Sequence, residues 1–371
     1  MNKIKTTRIA RVTQLMREKK LAGILICNCA MGNLDTWLLA KVDMPLHLPY
    51  NRNNLCLIDT NGTIRELCSR EPHPTDWGKY PLITDTPLSG DFAYQRLGIV
   101  NAPYLKRCVR DYLRSTVPGI ELVDVGTEFH KLVIEKISQE VQGIQHAAQQ
   151  FETAFRTLPL LLTGQPLERQ VAVALRNRLR ELGAECEDLS SSAMLTLTSA
   201  PDGALSIPEP IPYPGRRIDY GDRVNILLNG FMPGGFASAL GRSYVLGDPS
   251  AEAKAYWNLA VAAQDLVAKS AKPGVTVAEL MELVTHEILE PNDLPAYSGN
   301  QIFGIGAGIC EMPRNIDTSR TIPLHENMTI VIAIRITPPG KDAYCCMDPF
   351  VITADGAKRL TTLPRELVVL D

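Results

Sequence analysis

Nine cysteines and six histidines are the thiols and imidazoles this chain can bring to chemistry, and their spacing decides what they can do. The cysteines stand at 27, 29, 56, 68, 108, 186, 310, 345 and 346. An odd number spread over a long chain is unlike a disulfide framework. Cys27-Asn28-Cys29 has the closeness of half a zinc site, yet no second pair lies nearby, so buried reduced thiols are the reading. Cys345-Cys346 are neighbours that a strand would turn to opposite faces, not a redox pair. His47, in Pro45-Leu46-His47-Leu48-Pro49, has turn chemistry on both sides and reads as a solvent-facing loop residue.

The elements that must position such groups suggest two domains, since 371 residues exceed the usual single-domain length of about 150. With 45% hydrophobic and 21% charged residues the composition is that of a globular protein. Thirty-eight Lys+Arg against 41 Asp+Glu leave a net charge of −3, without the basic excess that phosphate-backbone binding needs, so nucleic acid is not an expected partner. No apolar run approaches the roughly 18 to 20 residues of a membrane span, and the start does not read as a signal core. A cytoplasmic protein without membrane contact is expected.

The first segment reads as an α/β unit. It has a helix from about Thr6 to Lys20, strands at Ala22–Cys27, Leu55–Asp59, Arg96–Asn101 and Glu121–Asp124, and a helix from about Tyr104 to Ser115. From Ile137 the pattern changes to long helices. The first carries Val141, Ile144, Ala148, Phe151, Phe155 and Leu158, and the second runs from Leu167 to Leu182, before a strand at Arg223–Leu228. Helices at Ala251–Ala271 and Val277–Ile288 then precede strands around Ile302, Thr329–Thr337 and Phe350–Thr353. Two copies of helix, helix, strands indicate an internal pseudo-repeat of roughly 110 residues. A doubly wound enzyme would want a glycine-rich βα turn, which is missing.

Three segments carry a resemblance. They are Gly221-Asp222-Arg223-Val224-Asn225-Ile226 with Gly235–Ser243; Gly304–Glu311 continuing to Pro313; and Glu326-Asn327-Met328 with Met347–Gly356. Together they resemble the pita-bread family of methionine aminopeptidase, prolidase, aminopeptidase P and creatinase. The resemblance implies an α/β (α+β) fold: a creatinase/prolidase-like α/β domain over residues 1–125, then a pita-bread domain over 126–371 with an internal pseudo-two-fold repeat. It also implies a homodimer.

Metal-using members hold two ions with two Asp, one His and two Glu, and carried over by resemblance those ligands fall on Leu227, Ala239, Phe303, Ala333 and Met347. None of these side chains coordinates a metal. A shifted alignment does not help. No carboxylate lies between Asp222 and Asp248, no histidine between His286 and His325, and no acid between Glu326 and Asp342. No metal and no cofactor is therefore expected. The family's substrate-side histidine falls on Cys310 and its upstream histidine near Ser206 or Ile207, which departs from the metal-free creatinase route as well.

Strand alternation then sketches a pocket: Asn225, Asn229, Ala237 and Gly241 with Leu227 and Ala239, Val331 and Arg335 with Ala333, and Cys345 with Met347. Arg335 either forks onto an anion of a ligand or pairs with a local acid such as Asp348; Arg242 reads as structural. Cys310 is a nucleophile candidate with Arg335 as its activating cation, against the alternative of an inert buried thiol. In prolidase-like dimers the partner's N-terminal domain reaches over the cleft, which implies His47 and Arg52 as contacts in trans. Asn225, Asn229, Phe303, Arg335, Cys345, Met347, His47 and Arg52 are thus the expected substrate-binding set, with Cys310 and Arg335 catalytic. The function expected is a metal-independent enzyme acting on a small polar, anionic molecule by C–N bond cleavage or rearrangement. The alternative is a non-catalytic homologue that binds a metabolite or a protein through the same cleft.

Overall fold

A computed structural model describes residues 3–27, 54–68, 96–183, 193–201, 216–232, 234–295, 299–308 and 310–370. The chain forms two compact units, Met1–Val133 and Ile134–Asp371.

The first unit is built on a five-stranded sheet. Its strands are β1 (Gly23–Cys27), β2 (Asn54–Asp59), β3 (Ile64–Cys68), β4 (Arg96–Val100) and β5 (Glu121–Asp124), in the order β3-β2-β1-β4-β5. β1 pairs antiparallel with β2 and parallel with β4. All five of its residues are buried, which is why its sequence is an unbroken apolar run and not an alternation. Leu25, Leu57, Leu97 and Ile99 form one core with Val109 and Leu113 of the helix Arg107–Thr116. That helix starts later than its sequence suggests, because Asn101 is left-handed (φ 60°) and Ala102–Tyr104 makes a separate 3-10 turn. β3 escapes a periodicity reading, since Arg65-Glu66 interrupt its short apolar pattern.

The second unit carries a nine-stranded sheet. Its strands are β6 (Ala193–Pro201), β7 (Asp222–Met232), β8 (Phe236–Leu246), β9 (Gln301–Gly304), β10 (Glu311–Arg314), β11 (Thr329–Ile336), β12 (Tyr344–Thr353), β13 (Gly356–Arg359) and β14 (Val368–Leu370). Seven lie in the order β10-β9-β11-β12-β8-β7-β6, with β13 on β12 and β14 on β8. Two antiparallel hairpins, β7–β8 and β11–β12, meet in the middle. One residue pair, Met347 with Gly241, is the whole β8–β12 register.

Helices back this sheet. Ala253, Trp257, Ala260, Ala263 and Val267 of the helix Ala251–Ser270 pack against Ile330, Ile332, Ile334, Tyr344 and Cys346, which all point to one side of β11 and β12. The helix Ser138–Phe155 begins where Glu140 accepts a hydrogen bond from the Ile137 N–H at 2.8 Å. The expected run to Leu158 is broken, because Pro159 has no N–H to give and sits in the first turn of a new helix, Leu158–Leu162. The second helix of the later half ends at Val284 and passes into a π-helical turn, Thr285–Leu289.

On the helix side of the seam lies a buried ion pair. Arg242 donates to both carboxylate oxygens of Asp348, at 2.9 and 2.8 Å, and also to the carbonyls of Gly241 and Met347 at 2.7 and 3.1 Å. Its Nε reaches the Pro364 carbonyl, while Thr361 donates to Asp348 at 2.7 Å. Both side chains are almost wholly enclosed, at 2% and 0% exposure. Replacing Arg242 with Ala would strand a buried carboxylate, with an expected cost of about 3–5 kcal/mol in denaturant unfolding. The double replacement Arg242→Met with Asp348→Leu should recover most of that loss, and two purely additive losses would contradict the coupling.

Candidate functional site

The side of the sheet away from the Ala251–Ser270 helix is the candidate site. Paired residues share a face, so the registers arrange it in rows. One row runs Leu227, Gly241, Met347, Ala333, Gln301 across β7, β8, β12, β11 and β9. The row on one side of it holds Asn229, Ala239, Val331 and Phe303; the row on the other holds Asn225, Ser243, Cys345 and Arg335. Gln301 is absent from the sequence sketch, and its pairing with Ala333 is what brings it to the face.

The centre is filled by hydrocarbon. A methyl group on Gly241 would sit 2.4 Å from Leu227 Cδ2 and 3.0 Å from Met347 Cβ, so those two side chains close over the one residue without a side chain. Ala239, Ala333, Phe303 and Met347 are buried, whereas Leu227, Asn229 and Arg335 keep partial exposure.

The polar residues differ in what remains free to act. Asn225 donates to the Ala343 carbonyl at 3.0 Å and to Asp342 at 3.2 Å, and accepts from Ser243 at 2.5 Å. Both its amide protons are spent on the protein, which removes it as a ligand donor. Asn229 Oδ1, by contrast, is buried without a hydrogen-bond partner among the described residues. Asp348 faces the other side with Ile332 and is held by Arg242, so it does not pair with Arg335.

The thiols are poorly suited to attack. Burial raises the Cys310 pKa against the opposing pull of Arg314. Arg314 is thus the cation at Cys310, and it also pairs with Asp317 at 2.6 Å; Arg335 lies instead opposite Cys345. Burial pushes Cys345 up to about 11, with Arg335 and Arg242 pulling against it. Cys346 lies on the opposite face, against Gln264. His47, Arg52, Ser206 and Ile207 lie outside the described residues. Sequence reasoning also missed Lys136, whose ammonium meets Glu311 at 2.5 Å with both side chains buried. Glu311 accepts in addition from the Gly308 N–H, and so fixes the loop after Phe303.

The residues 142–354 match the model of metallopeptidase family M24, more than half of the chain. The chain belongs to metallopeptidase family M24. Two curated relatives in this region are an Xaa-Pro dipeptidase of Pyrococcus horikoshii, 29% identical over 63% of this chain and 64% of its own length, and one of Pyrococcus furiosus, 30% identical over 64% and 66%. The matches thus span just under two thirds of either relative. A solved Xaa-Pro dipeptidase from Bacillus anthracis has the same fold, with a TM-score of 0.75 at 20% identity over 99% of this chain and 100% of that one. The two-domain α/β architecture with a pita-bread domain is that of these M24 proteins.

These findings correct the functional expectation. The two Pyrococcus relatives are named Xaa-Pro dipeptidase, which speaks for peptides and against both a C–N reaction on a non-peptide anion and a non-catalytic cleft for a metabolite or protein. The family's name implies a divalent metal, and the face does not fit one. Leu227, Ala239, Phe303, Ala333 and Met347 offer no donor atom suited to a hard ion, and among the described residues no three His, Cys, Asp or Glu are grouped to hold an ion.

Two measurements check the geometry. Gly241→Ala should destabilise by about 1–3 kcal/mol through overpacking, and adding Leu227→Ala should relieve part of it. A Cys345 thiol near 11 is ionised to about one part in a thousand at pH 8. Iodoacetamide should therefore label exposed Cys108 in the native protein and reach Cys345 only on unfolding, as peptide mapping would read.

Proposed function

We propose that the protein is a peptide-directed member of its family, and that its second unit receives short peptides with proline in second place. One observation carries this reading: the Pyrococcus relatives, 29% and 30% identical across the region that holds the face, are named Xaa-Pro dipeptidase. The chemistry of the face agrees with such a guest. A prolyl ring is apolar and its amide nitrogen has no hydrogen to satisfy, and Leu227, Met347, Ala333 and Phe303 offer it hydrocarbon. Asn229 Oδ1, buried without a donor, would accept from an N–H of the peptide, and filling it recovers part of the cost of leaving it unpaired.

The residues of this chain thus bind the peptide and exclude water around its ring. The protein is further proposed to act in the cytoplasm as a homodimer, which light scattering would report as twice the 40.8 kDa chain mass. Among the described residues no helix is long and apolar enough to cross a membrane.

Thermal unfolding with Ala-Pro or Leu-Pro should show stabilisation, on the order of 2.7 kcal/mol when peptide stands at a hundred times its dissociation constant. The reversed Pro-Ala and Pro-Leu should give little. Proline release in the same samples separates binding from turnover. An unfolding temperature indifferent to every peptide would overturn the reading.

A further inference from the structure

The candidate face is poor in charge where the peptide would lie. On β6, Thr196 and Thr198 pair with Leu227 and Asn225, so they extend two of its rows. Across β6, β7, β8, β12, β11 and β9 the three rows hold apolar, amide, hydroxyl and thiol side chains, and their one ionised side chain, Arg335, is a cation. No Asp or Glu stands in these rows among the described residues. The acids at the margins are already engaged: Arg223 lies 3.6 Å from Asp342, Arg314 holds Asp317 at 2.6 Å, and Lys136 holds Glu311 at 2.5 Å.

Asn229 stands apart in this setting. Its Oδ1 is buried without a hydrogen-bond partner among the described residues, and Ala239, Val331 and Phe303 of the same row are buried hydrocarbon. A carbonyl oxygen held among apolar side chains is a place for one donor, and the charge of that donor decides the outcome. A neutral amide N–H has modest hydration to lose and regains it as a hydrogen bond to the oxygen. An ammonium carries three donors and a full charge. With one neutral acceptor to meet it, most of what water gave the ammonium is not replaced.

The spacing of the rows suits such a donor. Asn229 lies two residues along β7 from Leu227, roughly 6.6 Å. One extended peptide residue spans about 3.3–3.6 Å, and an N–H···O bond adds about 2.9 Å. A proline ring seated over Leu227 and Met347 therefore brings the nitrogen of the residue before it within reach of Asn229 Oδ1. In a free dipeptide that nitrogen is the terminal ammonium. In an N-acylated peptide it is a neutral amide, and the acyl group has the hydrocarbon of Ala239 and Phe303 to lie on.

We propose that the face selects peptides in which the nitrogen of the residue before proline is acylated, and that Asn229 sets this choice by accepting from that neutral N–H. The assignment deepens the peptide reading above and rests on it. Asn229 binds substrate here; no proton transfer is attributed to it.

The test compares acetyl-Ala-Pro with Ala-Pro by calorimetry at about pH 6.5, where the free dipeptide is an ammonium, on the full chain and on Asn229→Asp and Asn229→Leu. The native protein should bind the acetylated peptide about tenfold or more tightly than the free one. Asn229→Asp supplies a carboxylate and should reverse the order. Asn229→Leu keeps the volume but removes the acceptor, and should weaken acetyl-Ala-Pro about three- to tenfold. It carries the test where a buried carboxylate prevents folding, which the unfolding temperature reports. Native protein that holds Ala-Pro as tightly as its acetylated form, an order unchanged in folded Asn229→Asp, or an acetyl-Ala-Pro affinity unmoved in Asn229→Leu overturns the selection by Asn229 alone. Failure of every peptide to bind overturns both it and the reading on which it rests.

Discussion

The constraint at the centre of the second unit is that Arg242 and Asp348, once buried, must answer each other. Two β-hairpins meet there with a single residue pair in register, so the backbone ladder that normally joins neighbouring strands contributes little at the centre of the sheet. The guanidinium substitutes for it by reaching the Gly241 carbonyl of one strand and the Met347 carbonyl of the other, while its fork grips Asp348. Such a pair offsets its desolvation only if every remaining polar atom is answered. Residues 361–365 help to answer them: Thr361 donates to the carboxylate, the Pro364 carbonyl accepts from Arg242, and the Arg365 carbonyl accepts from Trp257 of the backing helix. Chain far from the seam in sequence is thus drafted to close it.

That arrangement dictates the other side of the sheet. Because strands alternate, Arg242 and Asp348 pointing to the helices requires Gly241 and Met347 to point away. Glycine there lets Leu227 and Met347 close over the gap. A face centred on hydrocarbon raises the pKa of any thiol it buries, as at Cys345, and favours recognition by shape over chemistry by charged groups. Polar capacity is left at its margins, in the Asn229 oxygen and the Arg335 guanidinium, which no side chain among the described residues answers.

Much of this fold is legible in the residues. The long amphipathic helices, the apolar strand at Gly23–Cys27 and the motifs around Gly221, Gly304 and Glu326 identify the two-domain architecture and the family. What escapes is whatever depends on register. Asp348 looks available to Arg335 as long as only distance along the chain is weighed, but the pairing of Ala333 with Met347 sets Asp348 opposite Ile332 and Cys345 opposite Arg335. Likewise Cys310 looks reachable by Arg335, while in space its cation is Arg314, four residues on. Short polar strands such as β3 and a helix break at Pro159 fall below what periodicity can resolve. The functional expectation fails for a different reason: side chains that fail to fit a metal say only what a face lacks, whereas the relatives, alike over some 236 to 239 residues, are named for dipeptides.

Two arginines of one sheet, on β8 and on β11 with β12 between them, show how burial and partnership set different roles. Arg242, enclosed, is bound to be paired, since an isolated charge there would cost more than the sheet gains by closing. It is fixed by the fold and has nothing left to offer a ligand. Arg335, half-exposed, keeps part of its hydration and forms no ion pair among the described residues. The free energy of that guanidinium changes most when an anion arrives and displaces the remaining water. A sheet whose centre is held by one paired charge can therefore carry a second near the end of an inner strand, β11, where hydration answers it among the described residues.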